Sequence, residues 1–217
     1  MSQAAGHEVT VSLRERKKLA TRQRIVEVAL RRFAERGYEA TTVEEIAGDA
    51  EVSVTTFFRY FRTKDEVLFI DTDQRAPAFR AELEARPVQE PDLVAVHEAL
   101  RLFHQREGAD DDQRRLQRHK IVAEAPVLRG RAAEVSAQWR DEVAAGLAAR
   151  RGIPSGAREV RLTAAIALTI LTFAEDEWCA LGGATGWDTA LADAFDCFST
   201  LATRAPSPGA AISDGRQ

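Results

Sequence analysis

TVEEIAGDAEVSVTTFFRYFRTK, residues 42–64, is the stretch on which the reading of this chain turns. Thr42 can cap free backbone N–H groups, and Glu45, three residues on, can reach back to it. That pairing is a capping box and predicts a helix start. Val43, Ile46 and Ala47 supply an apolar face at helical spacing for about two turns. The chain is expected to break near Ala50, after which Ser53 caps a second helix through Phe61. Thr63 and Glu66 have the same capping spacing, which predicts a third helix at once. Two short helices joined by a tight turn form a helix-turn-helix, whose second helix can lie in the major groove of DNA. A plain helical hairpin is the competing reading.

The second helix carries a patterned surface. Thr55 and Thr56 are small and hydroxyl-bearing, as close approach to base edges requires. Phe57 and Phe61 are spaced four apart and are expected to pack inward. Tyr60 is placed to reach a phosphate. Lys64, expected at the start of the next helix, can serve the same backbone with its charge.

Residues 14–68 resemble the tetracycline-repressor (TetR) family. The matching strings are RQRIVEVALRRFAERGYEATTVEEIA and AEVSVTTFFRYFRTKDEVL, with Phe33, Gly37, Thr42, Ile46, Ala47, Val52, Ser53, Phe57, Phe61, Lys64 and Leu68 in register. The resemblance implies an all-α, homodimeric, ligand-responsive transcriptional regulator. Carried over position by position, it implies base contacts from Thr55, Thr56 and Phe57. It implies phosphate contacts from Thr42, Ser53, Tyr60 and Lys64. One departure is Glu51, where such proteins often have glycine; a positive φ there would cost about 1 kcal/mol.

The charge distribution agrees with a DNA-facing end. Residues 1–64 hold 12 Lys/Arg against 9 Asp/Glu, while the remainder holds 18 against 25, so a net +3 head precedes a net −7 body. A basic third on an acidic body suits a protein that presents one end to phosphates. Residues 14–24, RERKKLATRQR, concentrate six basic side chains. Arg16, Lys17 and Lys18 are expected to form a basic arm against the DNA backbone or in the minor groove; a solvated helix start is the alternative. Cys179 and Cys197 have neither disulfide nor metal spacing and are expected to be buried, reduced thiols. No stretch reaches the ~20 apolar residues of a membrane span, so a cytoplasmic protein without membrane association is expected.

The organisation expected is a tail over 1–12, a three-helix DNA-binding head over 13–63, a larger helical ligand-binding and dimerisation body over 64–204, and a tail over 205–217. After Lys64 a helix is expected to run towards Arg75, with Pro77 ending or kinking it. Asp110 and Asp111 precede Arg114 and Arg115 by four residues, the spacing of ion pairs along a helix. His97, His104 and His119 lack a metal-ligand pattern and read as helix surface or pocket lining. Residues 162–173 are apolar almost all round, so one side must cover the body's core and the other a partner. Ile166, Ile170, Leu191, Phe195 and Phe198 are therefore expected at a homodimer interface. Leu100, Phe103, His119, Trp139 and Ile170 are candidate lining residues for a small hydrophobic ligand; plain core is the alternative for each.

No metal set, cofactor loop or enzyme signature emerges. The function expected is a regulator, a repressor more often than an activator, that binds a palindromic double-stranded DNA operator and is released by its ligand. The alternative is a helical small-molecule-binding protein or enzyme in which the helix-turn-helix is only structural.

Overall fold

The computed structural model describes residues 12–69, 72–107 and 110–204, in which all regular structure is helical. Both tails, residues 1–11 and 205–217, lie outside the described residues. The chain divides into two compact units, one bounded by Met1–Ile70 and Ile121–Leu128, the other by Asp71–Lys120 and Arg129–Gln217.

The head is built on α1 (Leu13–Arg36), α2 (Val43–Asp49) and α3 (Val54–Tyr60). Ser12 and Glu15 close a capping box at the start of α1, and Thr42 and Glu45 close another at the start of α2. Gly37, at φ 84°, ends α1 in a backbone that side-chain-bearing residues avoid. The inward stripe of α1 (Ile25, Ala29, Leu30 and Phe33) meets Ile46, Ala47, Phe57 and Phe61 in one apolar core. Val67 and Leu68 complete it, together with Ile121, Ala125 and Leu128.

Downstream of α3 the structure departs from the expected third helix. Residues Asp65–Val67 make only a 3-10 turn. The Glu66 carboxylate accepts from the Arg62 backbone N–H at 2.6 Å, so it caps from a position one residue earlier than Thr63. The following helix, α4 (Thr72–Glu84), runs on through Pro77. Proline in the second turn forfeits a single bond, towards the helix's second residue, and the helix absorbs it.

The body comprises α4, α5 (Asp92–Glu107), the first part of α6 (Asp110–Glu124), α7 (Arg129–Arg151), α8 (Arg158–Ala180) and α9 (Trp187–Arg204). In it α4 packs on α7 and α5, and α8 packs on α9 and α7. Phe79, Leu83, Val96, Leu147, Val160, Trp178 and Leu191 are its most deeply buried large side chains. Arg150, almost wholly buried, donates to Asp92 at 2.9 Å and to the carbonyls of Glu90 and Pro87. A buried guanidinium is tolerable when its donors are used in this way. Gly183 ends the turn after α8 at φ 73°, where an added Cβ would lie 2.6 Å from Leu116. The side chains of Asp110 and Asp111, expected in ion pairs, lie outside those described.

Glu51 is the one described non-glycine residue with positive φ, 53°. Its side chain reaches Arg24 at 3.3 Å, an exposed pair of little energetic weight. Glu51→Gly is therefore expected to stabilise the head by about 1 kcal/mol, read as a higher denaturant midpoint.

Candidate nucleic-acid interface

The helix-turn-helix is fixed from both ends. Ala50 and Glu51 make the turn, with the Val52 N–H donating to the Ala47 carbonyl at 2.9 Å. Ser53 then caps α3: its Oγ accepts from the Thr56 N–H at 3.0 Å and shares a 2.9 Å hydrogen bond with the Thr56 hydroxyl. Arg32 and Arg31 hold Asp49 at 2.7 and 3.4 Å, and Arg36 holds Glu45 at 2.7 Å, linking α1 to α2. The Arg32 hydrogen bond keeps the Asp49 carboxyl below its ordinary value, and the Thr42 backbone N–H does the same for Glu45.

Within α3 only Phe57 is buried, at 0% exposure, locked 5.6 Å from Phe61. Thr55, Phe58 and Arg59 face solvent, and Thr56 and Tyr60 are half-buried. The expectation that Phe57 contacts bases is corrected here. A side chain wholly inside the head core has no surface to offer, and the exposed aromatic is its neighbour Phe58, at 51%. The inward spacing of Phe57 and Phe61 was legible in the sequence; the outward role of Phe58 was not drawn from it. The Arg59 guanidinium lies 5.3 Å from the Tyr60 ring centre, so the two share one end of the helix.

Lys64 is also corrected. It precedes the 3-10 turn rather than opening an α-helix. Its Nζ donates to the carbonyls of Tyr38 and Thr41, both at 2.7 Å, and stands 4.1 Å from the Tyr38 ring centre. Burial pushes its ammonium below the usual lysine value. In this position two of its three N–H groups close the α1–α2 loop on the segment after α3. Thr42 remains exposed, its hydroxyl accepting from the Glu45 N–H at 3.2 Å.

Arg16, Lys17 and Lys18 are exposed but lie inside α1, capped by Ser12. The expected arm is thus a helix start. A helix about 10–12 Å across is itself too wide for a minor groove of about 6 Å.

The body residues sort by burial. Leu100 and Ile170 belong to its core, while Phe103 and Trp139 are partly exposed, 6.2 Å apart, and each packs on Phe79. His119 faces Asp176 at 3.1 Å, and His104 faces Asp112 at 3.1 Å. Among the described residues no group of His, Cys, Asp and Glu could hold a metal ion. Of the interface candidates, Leu191 is fully enclosed by its own chain and Phe195 and Ile170 nearly so. That corrects their assignment to a partner: the side of α9 carrying Leu191 and Phe195 covers the core. Ile166 and Phe198 stay partly exposed. Leu162 and Phe173 on α8 and Leu201 on α9 are among the exposed apolar side chains. Cys197 is exposed and Cys179 half-buried, so neither is the buried thiol expected, although burial pushes Cys179 up to about 11. Among the described residues no helix is long and apolar enough to cross a membrane.

Residues 25–69 match the family described as bacterial regulatory proteins, tetR family, and residues 90–202 match the MftR C-terminal domain. The HTH-type transcriptional regulator TcmR of Streptomyces glaucescens is 36% identical over 65% of this chain. The putative mycofactocin biosynthesis transcriptional regulator MftR of Mycobacterium tuberculosis is 25% identical over 63% of it. The chain spans 65% of the length of TcmR and 69% of that of MftR. A solved TetR-family regulator from Syntrophomonas wolfei aligns with a TM-score of 0.58 at 22% identity, covering 86% of this chain and 96% of that one. The FadR repressor of Thermus thermophilus, solved with lauroyl-CoA, aligns at 0.51 and 24%, covering 87% and 99%. At these identities the structural likeness concerns the fold.

Proposed function

The chain belongs to the tetR family of bacterial regulatory proteins, a family of DNA-binding transcriptional regulators and not of enzymes, and on that premise we propose that it is a homodimeric repressor. In this reading it acts in the cytoplasm on a palindromic operator. The observation that carries the proposal is the outer face of α3, where Thr55, Phe58 and Arg59 stand in solvent above a head core sealed by Phe57. Two such heads related by a two-fold axis read two half-sites about one helical turn apart. Thr55 and Thr56 approach base edges; Ser53, Tyr60 and Thr42 serve the flanking phosphates, and Arg16, Lys17 and Lys18 add backbone charge. Binding of the full chain to duplexes selected from a random pool tests this. The expected result is two-fold symmetric protection and affinity falling steeply with salt. Binding without salt dependence or sequence preference would defeat it.

Dimerisation through α8 and α9 is supported by Leu162, Ile166 and Phe173, which fall at i, i+4 and i+11 along one side of α8 and keep exposed surface. On α9, Leu201 is exposed and Phe198 partly so. An isologous contact between copies would cover them. Phe173→Asp is expected to cost about 2 kcal/mol or more per copy at such an interface, giving monomer in light scattering at micromolar concentration. A dimer of unchanged strength in that variant would place the interface elsewhere.

The ligand proposed is a small hydrophobic molecule, with an acyl or aromatic body, held in the helical unit beside Phe103 and Trp139. The partly exposed aromatic surfaces of these two residues support that choice. Only the lauroyl chain of the lauroyl-CoA bound by the Thermus thermophilus regulator is such an acyl body; its CoA head is large and charged. Ligand and operator then act on one equilibrium, so whatever factor the ligand takes from operator affinity, the operator takes from ligand affinity.

A further inference from the structure

Phe58 is the most exposed aromatic side chain described in the head, and it sits on α3, of which Phe57 alone is buried. Its ring is anchored at one edge against Phe57, with centroids 5.6 Å apart and planes at 87°. Phe57 is wholly buried, so this edge contact rests on the head core and leaves the other edge of the Phe58 ring in solvent. Thr55 lies one helical turn before it on the same side and is exposed too. The pair presents a hydroxyl, a methyl and an aromatic edge side by side.

A phenyl ring has no hydrogen-bonding atom, so it is no anchor for a phosphate and reads no donor or acceptor pattern. In the major groove one group alone answers to it, the 5-methyl of thymine. Resting on the reading of α3 as the recognition helix, we propose that Phe58 is a specificity-determining residue. It fixes an A·T pair in each half-site by seating the thymine methyl against its free edge, next to the Thr55 methyl. Its exposure in the unbound head is then the surface kept for that contact.

The test takes the duplex that the full-length protein selects from a random-sequence pool and replaces its thymines one at a time with deoxyuridine. This removes the methyl and leaves every hydrogen-bonding group of the base pair. The expected result is one thymine per half-site whose replacement weakens binding on the order of fourfold, the value of one buried methyl. In Phe58→Ala the same replacement is expected to cost nothing, and in Phe58→Leu to cost part of the wild-type loss. Phe58 is half in solvent, so the variants should keep the fold, and the scan on the unaltered protein needs no variant at all. A flat scan with salt-sensitive DNA binding intact overturns this proposal and leaves the regulator reading standing. So does a methyl effect that persists unchanged in Phe58→Ala. Absence of any salt-sensitive DNA binding overturns both.

Discussion

Phe57→Ala is expected to destabilise the head by about 3–5 kcal/mol, the range for emptying a fully buried phenyl site. The side chain has no exposed surface, and its ring meets Phe61 and Phe58, both at 5.6 Å. It is the only residue of α3 buried in the core, so the helix would lose its anchor and not merely its shape. DNA binding should fall with folding, for all sequences alike. Phe57→Leu separates this from base contact: it refills most of the volume and should restore binding with the base preference unaltered. Denaturant unfolding followed by sequence selection on the leucine variant checks both parts. A leucine variant that folds normally but selects a different base would return Phe57 to the groove.

The second large effect is at Lys64. Its ammonium makes two hydrogen bonds to carbonyls from residues 23 and 26 positions upstream and stands over the Tyr38 ring. Bonds to a charged donor contribute about 1.5–3 kcal/mol each at most, and the half-exposed setting discounts that. Lys64→Met is expected to cost about 2 kcal/mol of head stability, with faster amide exchange in residues 38–42. Were Lys64 at a phosphate, its loss would lower the slope of log affinity against log salt by about 1 per head. The geometry predicts instead weaker binding with the slope unchanged.

These two residues mark where the sequence was legible. Local signals whose partners lie within one turn were read correctly at two caps, but not at Thr63 and Glu66, where Glu66 takes the Arg62 N–H and only a 3-10 turn follows. Thr42 with Glu45 closed its capping box, and Ser53 capped the second helix. The four-residue spacing of Phe57 and Phe61 also pointed both rings inward. Carrying the family's recognition position onto Phe57 conflicted with that spacing, and the spacing prevailed. Lys64 was opaque for a different reason: its acceptors are main-chain carbonyls that any sequence possesses, so no residue type announces them. Ile121, Ala125 and Leu128 join the head core from far downstream, and an apolar helix end does not say which core it enters. Leu191 and Phe195 were assigned to a partner because an apolar residue does not say whether its own chain or another covers it. Burial within the chain gives them to its own core and leaves Leu162, Phe173 and Leu201 outside. The basic run at residues 14–24 fitted both an arm and a helix start, and the Ser12–Glu15 capping box decides for the helix.

In the proposed function the outward face of α3 reads DNA. The most direct test is Thr55→Ala, an exposed change that leaves the core, the caps and every formal charge in place. Sequence selection by the variant and the parent protein, run at matched salt, gives the comparison. The expected result is an altered base preference at one position, repeated symmetrically in both half-sites, with the salt slope and folding stability unchanged. An unaltered preference at every position, with affinity equal to that of the parent, would contradict it.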